Sequence, residues 1–163
     1  MPIRRHALAL AAGLLAGAAV GLPAGAEPAR DAQAQANERL VRQAFDQWSR
    51  GNGTIFDLLH EQARWTIAGA SPVSGVFHSR RELLDVSVAP ISAKLAKPIV
   101  PLVRHIHADD DTVIVFWDGR ATAKDGSAYD NSYAWRMQMR DGKIVDVLAF
   151  LDTWRLVELL KPQ

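Results

Sequence analysis

The residues from Tyr129 to Met139, YDNSYAWRMQM, alternate in character, and every second position belongs to one of two rows. One row is Tyr129, Asn131, Tyr133, Trp135, Met137 and Met139; a period of two marks a strand with one dry face. Two phenols and an amide on that face are unusual company for Trp and Met. Asn131 and Tyr133 can hydrogen-bond a ligand carbonyl or hydroxyl. They can equally bond each other or a buried water, because buried polar groups need partners.

Asp118 is the leading carboxylate. It shares a strand face with Ile114 and Phe116, and a carboxylate beside apolar groups tends toward a raised pKa that suits acid–base work. The competing reading is a strand-end residue paired with Arg104 or Arg120 at the rim. His105 and His107 are two apart, on one strand face. Such a pair ligates a metal only with a third ligand, and no complete set is present, so no metal and no cofactor are expected; one of the two histidines as a general base is the alternative. Asp152 reads as a helix N-cap, and Asp146 shares the parity of Phe150 and Asp152 and belongs to the convex face. Ser71 and Ser74 sit in a turn without a His–Asp relay. Trp48, Trp65 and Trp135 are candidates for a cavity wall, with Phe116. Trp117, of opposite parity to Asp118, is expected to face away from the cavity, and an exposed Trp there would mark a partner surface.

The elements that would position these groups follow from periodicity. Leu40, Val41, Ala44, Phe45 and Trp48 make one apolar helical face, stopped by GNG at 51–53. Thr54 caps a short helix IFDLLHEQ, and ARWTIAG is a strand. Ser79 and Glu82 form a capping box before LLDVSV, and Pro90 breaks or kinks that helix. Four antiparallel strands follow, LVRHIHA, VIVFWDGRATA, the opening strand and IVDVLAFL. Asp125-Gly126 and Asp141-Gly142 signal hairpins, and DTWRLVELLKP is a closing helix. This order fits an α+β fold, a strongly bent antiparallel sheet wrapped on one side by helices.

The chain has 163 residues and no cysteine, so neither disulfides nor thiol chemistry are available. Residues 1–26 read as an export signal: a basic MPIRRH, an apolar stretch, and AGA before the cut. Its removal takes Arg4 and Arg5 and leaves 17 basic against 18 acidic residues, a net of −1. There is no basic stripe, which argues against nucleic acid as a partner. No second apolar run of spanning length follows the signal. Residues 27–36 are expected as a polar tether and 37–163 as the folded domain, periplasmic or secreted.

Trp65, SPVSGVFHSRREL, AYDNSY and RDGKIVDVLAFLD together resemble the SnoaL-like branch of the nuclear transport factor two-like superfamily, which is also similar to ketosteroid isomerases and limonene epoxide hydrolases. The resemblance covers about residues 38–160, and its most specific parts are the Gly75 to Arg80 spacing and the DGKI turn. It implies a cone-shaped α+β barrel with a pocket between helices and sheet, and relatives that often dimerise through the outer sheet face. It also implies a cavity carboxylate at Asp118. The epoxide hydrolases carry an Arg where this chain has Phe116 and a second Asp where it has Ala149, so their water-activating set is incomplete here. The expectation is an exported domain, a homodimer by that resemblance, holding a small, mostly hydrophobic molecule. The alternatives are an isomerase, cyclase or hydrolase using Asp118 or a His, and an accessory module of an envelope complex with an apolar outer face around Trp117.

Overall fold

The computed structural model describes residues 26–162. The export signal expected over 1–26 lies outside these residues except for Ala26, which opens the first helix. Helix α1 runs Ala26–Ser49. The stretch 27–36, expected as a tether, is therefore helical. Its anchor is Asn37, 1 % exposed, whose Nδ2 donates to the Asp110 carbonyl at 3.1 Å. Ala34, Val41 and Phe45 continue the same buried face.

A single 3-10 turn, Ile55–Leu58, follows. It is shorter than the helix expected over IFDLLHEQ, because strand β1 (Leu59–Ile67) already begins at Leu59. Strand β2 (Gly75–Phe77) folds back on β1. Helix α2 (Arg80–Leu83) is capped by Ser79, whose side chain accepts from the Glu82 N–H, while the Glu82 carboxylate accepts from the His78 N–H at 2.6 Å. The helix then widens into a π turn over Leu84–Val88 and recovers as α3 (Ala89–Lys94), with Pro90 in its first turn. Proline has no N–H to give and its ring displaces the carbonyl four residues back, which accounts for the widened turn.

Strands β3 (Leu95–Asp109), β4 (Thr112–Ala123), β5 (Ala128–Arg140) and β6 (Lys143–Leu151) form an antiparallel meander. Helix α4 (Thr153–Leu160) closes the chain under an Asp152 cap that accepts from the N–H groups of Trp154 and Arg155. The six strands are ordered β2-β1-β6-β5-β4-β3, and β1 runs parallel to β6. The sheet is thus mixed, not wholly antiparallel, and cone-like without closing into a barrel. Pro98 and Pro101 are tolerated because β3 is an edge strand. Among the described residues no helix is long and apolar enough to cross a membrane.

The core lies between the inner sheet face and α1. It takes Val113, Val115 and Trp117 from β4, Tyr133, Trp135 and Met137 from β5, Ile144, Val147 and Ala149 from β6, and Val41 and Phe45 from the helix. The dry row of β5 is inward, as its alternation required.

Candidate ligand-binding site

The register of β4 against β5 decides which β4 residues meet the cavity. Trp117 pairs with Tyr133 and Asp118 with Ser132. Cross-strand partners share a face, so Trp117 points inward with the phenol and Asp118 points outward with the serine. This reverses the sequence expectation for both. The cause is one residue in the turn. A two-residue Asp125-Gly126 loop would pair Asp118 with Tyr133. Instead Ala123 and Ser127 close the hairpin, with the Ala123 N–H donating to Ser127 O at 2.9 Å, so Lys124, Asp125 and Gly126 make a three-residue connection. Gly126 takes φ +87, the left-handed residue such a loop needs. A shift of one residue moves every side chain of the strand to the other face.

Trp117 is consequently 2 % exposed and lies flat on the Tyr133 ring, centroids 3.9 Å apart and planes 6° from parallel. Phe116, expected on the cavity wall, is on the outer face and 42 % exposed. On that face the Arg104 guanidinium donates to Asp118 Oδ2 at 2.7 Å and Ser132 Oγ donates to Oδ1 at 2.9 Å. These two bonds hold the Asp118 carboxyl below its usual range. A surface ion pair, not a cavity acid, is what the structure makes of Asp118. His105 and His107 are also exposed on this face, their rings stacked with centroids 6.2 Å apart. They reach neither the cavity nor a third ligand: among the described residues no group of three His, Asp, Glu or Cys side chains stands close enough to hold a metal ion. Asp146 lies outward as its parity implied, bound by Arg64 at 2.7 Å and Arg136 at 3.0 Å.

The cavity between sheet and helices has a volume of about 400 Å³. Trp48 from α1, Phe56 from the 3-10 turn, Trp65 from β1, Trp117 from β4, and Tyr133 and Trp135 from β5 line its interior. Trp135 is the hub, with edge-to-face contacts to Trp65 at 4.8 Å and Trp117 at 4.7 Å. Ser87, Val88, Ile91 and Ser92, from the π turn and α3, form part of the wall on the helical side. No Asp, Glu, His, Lys or Arg lines the cavity among the described residues.

Besides the hydroxyl residues Thr54, Ser87 and Ser92 on its wall, its polar content is a short relay at the aromatic end. The Tyr129 and Tyr133 hydroxyls are 3.3 Å apart. Asn131 Nδ2 donates to Tyr129 Oη at 3.2 Å and to the Asp152 carbonyl at 3.0 Å. Its Oδ1 accepts from the Ser132 N–H at 2.8 Å and the Asp152 N–H at 3.1 Å. Asn131, expected to contact ligand, is therefore fully used in tying β5 to the start of α4 and orienting Tyr129, and it is not among the cavity-lining residues. Burial, reinforced by the neighbouring Tyr129, pushes the Tyr133 phenol far up, so it stays protonated. The indole N–H groups of Trp117 and Trp135 are buried without a hydrogen-bond acceptor.

Two contributors were missed by the sequence reading. Tyr129, on the dry row but not among the residues expected to contact a ligand, is 5 % exposed and lines the cavity. Gly119 supports the Trp117–Tyr133 stack from beside it: a Cβ there would lie 3.1 Å from each ring and 2.9 Å from Ile99 Cγ2. The register partner of Gly119 is Asn131, so the correct pairing would have disclosed it.

An uncharged, aromatic-walled cavity enclosed by a bent sheet and helices defines a protein of the nuclear transport factor two-like class. The SnoaL-like domain matches residues 41–147, and the chain belongs to that family. Among solved structures it is similar to Bal32a from a soil-derived mobile gene cassette, at 20 % identity and a TM-score of 0.65 over 79 % of this chain and 99 % of that one. It is similar to a putative SnoaL-like polyketide cyclase from Jannaschia sp. CCS1, at 13 % identity and a TM-score of 0.63 over 80 % and 96 % of the two chains. It is also similar to a putative isomerase from Rhodopseudomonas palustris, at 18 % identity and a TM-score of 0.57 over 76 % and 94 %. At these identities the likeness shows the fold alone. No curated protein matches the chain.

Proposed function

We propose that this chain is an exported binding protein that holds a small, mostly hydrophobic molecule in its internal cavity and lacks a complete acid–base set. The observation that carries this reading is the lining: about 400 Å³ with four tryptophans, a phenylalanine and two tyrosines in its wall and, among the described residues, no carboxylate, imidazole or amine. Such a cavity gains affinity from apolar burial and orientation from a few polar groups. Proton transfer near neutral pH needs a group titrating there, and a phenol pushed upward by burial does not supply one.

The test is native mass spectrometry of the protein purified from the periplasm of an exporting host. Mass lost on denaturation identifies the ligand, and the N-terminal mass reports whether residues 1–26 have been removed. A chain that is never loaded, by retained or offered apolar molecules, refutes the binding reading.

A second reading is an enzyme of isomerase, cyclase or hydrolase type, favoured by the names of two structural neighbours, the putative cyclase and the putative isomerase. In this chain such an activity would have to use the phenol pair, because Asp118, His105 and His107 lie on the opposite face of the sheet. Turnover of an enolisable ketone, measured as solvent deuterium uptake, separates it from simple binding.

The same proposal includes a homodimer. Phe116 at 42 % and Phe150 at 52 % exposure share the outer sheet face with Ile114 and Leu102. The ion pairs of Arg104 with Asp118 and of Arg136 with Asp146 frame them. An apolar centre with internally balanced charge suits a second copy better than a nucleic acid. Phe116→Glu should then yield monomer where the parent gives dimer in the native spectrum. The partner surface expected around Trp117 would be built from Phe116 and Phe150 instead.

A further inference from the structure

Resting on the binding reading above, we infer that the cavity selects an uncharged ligand bearing a hydrogen-bond acceptor, a ketone-type carbonyl oxygen, which takes the one phenolic proton that Tyr129 and Tyr133 cannot both spend on the protein.

The argument is a count of donors and acceptors. Each phenol brings one proton. The only contact between them is the 3.3 Å pair, in which either oxygen can donate. If Tyr129 donates to Tyr133, the Tyr133 proton has no acceptor. If Tyr133 donates to Tyr129, the Tyr129 proton has none. Asn131 cannot absorb the surplus. Its two N–H groups point to Tyr129 Oη and the Asp152 carbonyl. Its Oδ1 already accepts two backbone N–H groups, from Ser132 and Asp152, which occupies both lone pairs. Nor is the proton shed, since burial keeps Tyr133 neutral.

Both tyrosines line this cavity, although Tyr129 also borders the groove beside Asp125 and Glu158; with Tyr129 as the donor of the pair, the surplus proton is that of Tyr133 and belongs to the cavity interior. Trp117 and Trp135, which line it too, add two buried indole N–H groups without acceptors. The aromatic end of the cavity is therefore rich in donors and poor in acceptors. A bound acceptor corrects that imbalance, whereas a hydrocarbon leaves a buried donor unmet.

The same lining disfavours a charged ligand. A carboxylate ligand would lose its hydration and meet no cation, and an ammonium would meet no carboxylate, since no ionisable acid or base lines the wall. At 3.3 Å the phenol pair is long for a hydroxyl–hydroxyl bond. A carbonyl oxygen placed against it exchanges a weak contact for a better one.

The experiment compares three molecules of one skeleton, tetralin, 1-tetralone and 1,2,3,4-tetrahydro-1-naphthoate, by isothermal titration calorimetry and tryptophan quenching at pH 7.5. The expected order is ketone, then hydrocarbon, then carboxylate, with the ketone ahead of the hydrocarbon by about three- to tenfold. In Tyr133→Phe with Tyr129→Phe that ratio should fall toward one, circular dichroism and melting confirming the fold. If the double variant does not fold, each single variant is read the same way. Equal binding of ketone and hydrocarbon, a ratio untouched by the tyrosine changes, or preference for the carboxylate would overturn the inference while leaving the binding reading intact. Failure of all three molecules to bind would overturn both.

Discussion

Trp117 and Asp118 are neighbours on one strand, and the three-residue turn assigns them to opposite environments, so replacing each with alanine measures the register directly. Trp117 is 2 % exposed, stacked at 3.9 Å on Tyr133 and edge-on at 4.7 Å to Trp135. Truncating a buried aromatic to alanine costs about 3–5 kcal/mol, and the lost ring contacts fall within that figure. Asp118 holds an exposed pair with Arg104 and a bond from Ser132; such a pair contributes about 0–1 kcal/mol. For a domain of this size each kcal/mol moves the melting midpoint by about 3–5 °C. Trp117→Ala should therefore melt about 10–20 °C below the parent, and Asp118→Ala within about 5 °C of it. Circular dichroism melts, repeated in urea to obtain midpoints at a common slope, provide the comparison. If Asp118→Ala costs as much as Trp117→Ala or more, the carboxylate is inside, the hairpin closes one residue differently, and the site described above is wrong.

Three further outcomes are expected. Gly119→Ala should destabilise by about 1–3 kcal/mol in urea unfolding, because its Cβ would press on Ile99, Trp117 and Tyr133 at 2.9–3.1 Å; an unchanged midpoint would show that the stack has room to yield. Ala149→Asp would bury a carboxylate opposite Trp135, with its folded-state pKa raised above the unfolded one. Its penalty should therefore grow as pH rises through the unfolded value, so the melting deficit is larger at pH 8 than at pH 5, and an equal deficit would mean a solvated position. Asp118→Asn should leave ligand retention in the native mass spectrum unchanged and flatten the acid limb of stability. The Asp118 pKa is lowered, so the carboxylate's stabilisation is present above the ordinary range and disappears as pH falls through the folded value.

Much of the fold was legible because its signals are local. Apolar spacing in α1, the Asp152 cap and the Asp141-Gly142 turn each depend on residues within a few positions, and each stands where the sequence indicated. The Asp141-Gly142 loop takes positive φ at both residues, the two-residue geometry its composition favours. Asp125-Gly126 has the same dipeptide but a different loop. There Asp125 Oδ1 accepts from the Ser127 N–H at 2.8 Å and the Ser127 hydroxyl at 2.6 Å, contacts that fit the wider connection. Alternation on β4 was visible, but which row faced inward depended on that turn. The parallel pairing of β1 with β6 and the helical start of α1 were not legible for a related reason. Both depend on partners far away in sequence, such as Asn37 against Asp110.

Once the register is set, the chemistry divides by face. On β4 and β5 the outer partners are Asp118 with Ser132 and Arg120 with Asp130, and the inner partners are Trp117 with Tyr133 and Val115 with Trp135. The inner position on β6 opposite Trp135 is Ala149. Every charge that alternation could have delivered to the cavity has gone to solvent, where ion pairs add little stability. Among the described residues the cavity lining holds no carboxylate, imidazole, amine or guanidinium. Such a lining suits holding a phenolic proton in place, since Asn131, bound to both the carbonyl and the N–H of Asp152, donates to the Tyr129 oxygen. That division is what supports the proposed recognition role, and it rests on a single residue in a surface turn.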